Sequence, residues 1–300
     1  MPRLIEIADD GRASLEETAD ALRSKGCNLA DEESLQHAAL QLRRLGNDPD
    51  FLGDILIDEL GRRHREDVMA SSYGPQVIML VPSQGDFFIR ANIWPSAHEH
   101  MVRASGDAAF AIGLPHDHNF SFLTLGYFGP GYWSDYYEYD CEEVAGWRGE
   151  PVPSLKFIER ACLSPGKIQL YRAHLDVHAQ YPADSLSVSL NIMQVQGAQG
   201  WLDQYKFDLE AGSISTMLAS SSADAFLRIA VGLGGAEALD LAECFARSHP
   251  SDRLRLTAWD ALAARQQDLA ERDALWASAE QSGSRLVAME ARARRAELVS

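Results

Sequence analysis

Gly113-Leu114-Pro115-His116-Asp117-His118-Asn119-Phe120-Ser121-Phe122 is the stretch on which the reading of this chain turns. Two histidines stand two residues apart where a β-rich run begins, and the texture predicts a strand over 120–128. Side chains at i and i+2 of an extended segment share one face, roughly 6.5–7 Å apart along it, so both imidazoles can turn toward one metal ion. The same spacing also occurs as plain polar surface on a strand. The wider histidine distribution favours the metal: six of the nine fall in the pairs His98/His100, His116/His118 and His174/His178.

Working outward, nine of the twelve prolines lie between Pro75 and Pro182. Between these turns the runs 77–81, 87–94, 120–128, 132–139, 155–162, 168–171 and 186–195 are rich in β-branched and aromatic residues. Many short strands at such spacing predict a sandwich or barrel. Gly129-Pro130-Gly131, between two aromatic strands, reads as a hairpin connection. On the N-terminal side, Ser14 with Glu17 forms a capping box, and Leu35, Ala38, Ala39, Leu42 and Leu45 fall at helical spacing until Gly46-Asn47-Asp48-Pro49. A further helical run, 51–64, carries Leu52, Ile55, Leu56 and Leu60. After Gly235 the chain holds one glycine and one proline. Ser251-Asp252 opens a helix there with the stripe Leu254, Leu256, Trp259, Leu262 and Ala263. The layout is a helical segment over 1–72, a β domain over 73–212 and a helical segment over 213–300, the last resembling HEAT-like helix pairs or forming a plain appendage.

Composition narrows the function. The 300 residues carry 27 basic and 44 acidic side chains, a formal charge of −17. Such a charge repels phosphate backbones and anionic lipid, which argues against nucleic-acid and membrane partners. No apolar run approaches the length of a membrane span. The N-terminus turns acidic within ten residues, unlike a signal peptide. Cys27, Cys141, Cys162 and Cys244 lie far apart and form no CxxC pair, so neither a zinc ribbon nor a disulfide scaffold is expected, and a cytoplasmic location is. The acidic clusters, such as Asp31-Glu32-Glu33, read as a solvated face.

Further along, Pro165-Gly166-Lys167-Ile168-Gln169-Leu170-Tyr171 is a turn followed by a short strand, and His174 and His178 precede the strand 185–193. These residues, with the His116/His118 pair, resemble the two motifs of the cupin superfamily over about residues 85–195. His116 and His118 match the paired histidines, Gly129 the closing glycine, Pro165-Gly166 the second turn, and His178 the last ligand, one residue later than usual. The resemblance implies an α+β protein, a cupin-like double-stranded β-helix barrel flanked by N- and C-terminal helical segments. Phe122 stands where many cupins carry a glutamate ligand, so the site is similar to the three-histidine variety of the thiol dioxygenases, such as cysteine dioxygenase. Arg90 occupies the position where that family grips a substrate carboxylate. Met193 and Asn191 replace the family's tyrosine and histidine, and Leu123 replaces a cysteine found in some members. The resemblance therefore carries the fold and metal set further than the substrate.

What it implies is a metal-dependent oxygenase with His116, His118 and His178 on one divalent ion. Imidazole suits Fe(II), Zn, Ni and Cu alike; the oxygenase reading favours Fe(II). Arg90 would anchor an acidic group of a small or peptide-borne substrate, with Arg172 as an alternative anion partner, and Tyr171 or His174 would supply a hydrogen bond or a proton. His178 is expected in a loop, with His174 behind it or at the surface. His174-Leu175-Asp176 also mimics the HxD half of an iron triad that would need His249. His98 and His100 read as a solvated loop or a second metal pair. The tyrosine-rich strands over 120–139 are expected to pack the barrel, or to form a homodimer contact or peptide groove. The competing function is a non-catalytic cupin that senses a metal or ligand.

Overall fold

The computed structural model describes residues 2–63, 76–83, 85–218 and 222–299. His64 and Tyr73 lie outside them. The chain divides into two compact units, one of Met1–Cys141 with Ser154–Gln196 and one of Glu142–Pro153 with Gly197–Ser300.

The first unit begins with β1 (Arg3–Ile5), α1 (Leu15–Lys25), α2 (Glu32–Gly46) and α3 (Phe51–Arg63). Ser14 caps α1, and Glu17 closes the capping box. The α2 stripe of Leu35, Ala38, Ala39, Leu42 and Leu45 is buried, whereas Leu60 on α3 is exposed. Strands β2 (Val77–Val81) and β3 (Phe87–Trp94) follow, then α4 (His100–Ser105), β4 (Phe122–Phe128), β5 (Trp133–Glu138), β6 (Lys156–Cys162), β7 (Ile168–Tyr171), β8 (Asp176–Gln180) and β9 (Ser187–Gln194).

Among the described residues these strands form a six-stranded antiparallel sheet, β1-β7-β4-β9-β3-β2, and a three-stranded one, β6-β5-β8. The closed barrel expected from the sequence is thus two separate ladders, with isolated bridges such as His116↔His178 outside them. One face of the larger sheet is apolar. Phe87, Ile89 and Ala91 of β3, with Leu123, Leu125, Ile168, Leu170, Leu190 and Ile192, pack into one core with Leu22, Leu42 and Leu45 of the helices. Alternation then turns Arg90, Asn92 and Trp94 to the other face, toward the histidines.

The 129–131 segment is not a hairpin, because β4 pairs with β7 and β9 while β5 pairs with β6 and β8. It carries the chain from one sheet to the other. Gly131, at φ +88°, lets the Leu163 carbonyl pass where a side chain would stand. The second unit pairs β10 (Tyr205–Asp208) with β11 (Ser213–Met217) and continues with α5 (Ser222–Leu233), α6 (Ala236–Ser248), α7 (Asp252–Ala263), α8 (Leu269–Glu280) and α9 (Arg285–Val299). Ser251 caps α7 as its sequence suggests. No helix among the described residues is long and apolar enough to cross a membrane.

Candidate metal centre

Strand β8 places His178, and the extended segment around His116 pairs with it. The His116 N–H donates to the His178 carbonyl at 3.0 Å and the His178 N–H returns the bond at 2.9 Å. His178 is therefore on a strand, not in a loop. The His118 carbonyl accepts from the His174 N–H at 2.9 Å. Asp117, between the two histidines, turns away and accepts a 2.6 Å bond from the Tyr139 hydroxyl. Alternation and these anchors set both imidazoles of the pair beside that of His178.

The three rings stand with centroids 4.5–5.0 Å apart, all buried. Nε2 of His178 lies 3.0 Å from Nε2 of His118 and 3.3 Å from Nε2 of His116. Nitrogens about 2.1 Å from a shared ion stand about 3.0–3.4 Å apart in octahedral or tetrahedral geometry, so the separations fit. The other ring nitrogens bear on the tautomers. His116 Nδ1 lies 2.8 Å from the Leu114 carbonyl, a bond that only Nδ1–H can donate and that leaves Nε2 with its lone pair. The Gln180 amide lies 3.0 Å from His178 Nδ1, while its Oε1 has no partner among the described residues. Turning that amide over lets Oε1 accept from Nδ1–H, the tautomer that leaves His178 Nε2 its lone pair, with the amide 3.2 Å from that nitrogen. Among the described residues, these histidines are the one group of His, Cys, Asp or Glu side chains arranged to hold a metal ion.

Burial disfavours the charged imidazolium in all three rings. It lowers the His116 pKa and holds His118 and His178 well below the ordinary value of 6.5, with neighbouring imidazoles adding to the shift in the latter two and the Arg90 charge acting on His118. Neutral imidazole is the metal-binding form. The sign for stability follows from proton counting. As pH falls below about 6.5 the unfolded chain takes up protons that the folded cluster refuses, so stability is lost with acidity until the folded pKa values are reached. Metal-free protein is expected to lose melting temperature between pH 7.5 and 5.5. Replacing His118 and His178 together by Gln should flatten that dependence, as read by thermal denaturation across the range. An unchanged slope would contradict the assignment.

A cavity of about 130 Å³ opens on the three rings. Arg90 and Asn92 of β3, Asn191 of β9, Tyr132 and Trp94 contribute to its walls, and the described lining residues include no carboxylate. Phe122 meets His118 edge to face, with centroids 4.9 Å apart, and offers no ligand atom. Arg90 is the one formal charge among the described lining residues, in a chain of charge −17, and a divalent ion on the neutral histidines would add to it.

Other candidates are placed differently. Tyr171 stacks on Phe122 at 4.5 Å and its hydroxyl meets that of Tyr136 at 3.1 Å, outside the cavity lining. The phenol on the cavity is Tyr132, held neutral by burial. His174, at φ +57°, contributes the backbone bond to His118, and its ring is not part of the lining. Arg172 is committed to Asp176 and Glu138, which also removes Asp176 from a metal triad. His98 and His100 are exposed. His249 belongs to the second unit, its ring against Trp201 and Phe245. Sequence reasoning missed Tyr132, Asn92 and Gln180. The last two were accessible by counting two along a strand from Arg90 and from His178.

No family model matches the chain, and no curated protein does. Solved structures similar to parts of it include a cupin domain from Bordetella pertussis Tohama I, 12% identical with a TM-score of 0.23, covering 42% of this chain and 100% of that one. The DMSP lyase DddQ from Ruegeria pomeroyi DSS-3 is 9% identical with a TM-score of 0.26, covering 65% and 79%. A structure from the DMSP lyases RdDddP and RnDddQII is 12% identical with a TM-score of 0.27, covering 68% and 84%. At this strength the likenesses leave the function to be argued from the site itself.

Proposed function

We propose that this chain is a cupin-type metalloprotein in which His116, His118 and His178 bind one divalent ion, Fe(II) when active, and that it oxidises a small anionic thiol or carboxylate substrate with O₂. The observation that carries the metal reading is the convergence of three buried Nε2 atoms, with separations of 3.0 and 3.3 Å, at the wall of one cavity. Iron bound there would supply the redox chemistry and open positions for substrate and O₂.

The chain's own groups do the positioning. Burial keeps the ligand imidazoles neutral, and the Leu114 carbonyl orients His116. Arg90 offers a fixed planar cation for a carboxylate. Trp94 and Phe122 present apolar surface that excludes water from the ligand rings. Tyr132, a neutral phenol, holds a proton at the cavity wall. A homodimer contact and a cytoplasmic location remain part of this proposal.

The test is oxygen consumption by protein loaded anaerobically with Fe(II), against a panel of small thiols and carboxylates. Uptake should occur with at least one of them and vanish in Zn(II)-loaded protein and in His118→Ala. No uptake with any substrate by metal-retaining protein would sink the oxygenase reading and favour a sensing or binding module.

A further inference from the structure

The cavity walls say more about the ligand than its charge. Asn92 and Gln76 both line the cavity and both are more than nine-tenths buried. Asn92 Oδ1, an acceptor, and Gln76 Nε2, a donor, have no hydrogen-bond partner among the described residues. Buried polar atoms are nearly always paired, by protein, water or ligand. Asn92 shares its strand face with Arg90, two residues away, so an anion held by Arg90 would bring its remaining atoms near this amide pair. Each amide carries both a donor and an acceptor and can be turned over, so a group that donates and accepts at once can meet either orientation. A hydroxyl or a primary carboxamide does both, whereas an ammonium group only donates. Charge points the same way: the described lining has the Arg90 cation, a divalent ion would add two charges, and the described lining residues offer no carboxylate to offset a further cation. Size sets the scale, since a 150 Å³ cavity in another protein accommodates benzene, so about 130 Å³ suits roughly six non-hydrogen atoms.

We infer that the site selects a short carboxylate bearing an uncharged hydroxyl or carboxamide group and discriminates against amino acids, with Asn92 and Gln76 as the residues that read this second group. The inference rests on the three-histidine metal centre proposed above. The experiment is isothermal titration of the protein as purified, its metal content measured on the same sample, with propionate, β-alanine, 3-hydroxypropionate and malonamate.

Of the four probes, 3-hydroxypropionate or malonamate should bind about tenfold or more tighter than propionate, and β-alanine no tighter than propionate. Asn92→Asp keeps the side chain's shape and adds the missing negative charge, so it should shift the preference about tenfold toward β-alanine; circular dichroism confirms that the variant folds. Metal-containing protein that binds β-alanine as tightly as 3-hydroxypropionate and malonamate, an order of affinities unchanged by Asn92→Asp, or no binding of any probe would overturn the inference while leaving the metal centre standing. A preparation without metal would overturn the centre, and the inference with it.

Discussion

His178→Ala is expected to weaken divalent-metal binding at least about a hundredfold, measured by competition of Zn(II) against a chromophoric chelator. Second-shell changes alone typically cost about 10–100-fold, and this substitution removes the ligand whose Nε2 lies within 3.3 Å of both others. It leaves two histidines and no carboxylate among the described lining residues to take its place. Gln180→Ala, which removes only the amide beside His178 Nδ1, should fall within the second-shell range. If His178→Ala binds as tightly as the wild type, the metal is held elsewhere.

The second large effect is on stability. Gly131→Ala would place a Cβ 2.2 Å from the Leu163 carbonyl oxygen, on a backbone at φ +88°. The left-handed conformation costs a non-glycine residue roughly 1–2 kcal/mol and forced displacement of packed backbone a further 1–3, so a loss of about 2–5 kcal/mol is expected in urea unfolding. Gly113→Ala is the control in the same unit. Its φ is +67° with nothing within 4 Å of the added atom, so only the backbone cost should appear. Equal losses in the two would show that the close passage of the Leu163 carbonyl does not set the cost at Gly131.

Local signals made much of this fold legible. The capping box of Ser14 and Glu17, the α2 stripe and the β-rich run 87–94 are each decided within a few residues, and the structure realises them. What was misread depends on distant partners. Strand β1 is three residues long and exists because it pairs with β7, some 165 positions on. Strand β8, Asp-Val-His-Ala-Gln, is buried on both faces, yet between the Pro165-Gly166 turn and Pro182 its sequence reads as loop, because its pairing partners are invisible locally. Asp176 is matched by Arg172, and the His178 ring lies against Gln180 and the other histidines. Gly129-Pro130-Gly131 has turn chemistry, but whether a turn closes a hairpin or crosses between sheets is set by which strands pair.

The site divides in the same way. His116 and His118 were legible from a spacing of two, and His178 and Arg90 from the resemblance of their surroundings to cupin motifs. The structure brings all four to one cavity. Tyr171, expected to supply a hydrogen bond or a proton, stands with its ring 4.8 Å from that of His178 and its hydroxyl on Tyr136, while Tyr132 is the tyrosine that lines the cavity, from beside the 129–131 crossing. Which of two tyrosines faces a ligand is a question of sheet stacking, and sequence proximity does not answer it.

The most direct measurement is elemental analysis of protein purified without metal supplementation, wild type beside His118→Ala. The three-histidine centre predicts a transition metal near one equivalent per chain in the wild type and close to none in the variant. Equal metal content in the two proteins would contradict it.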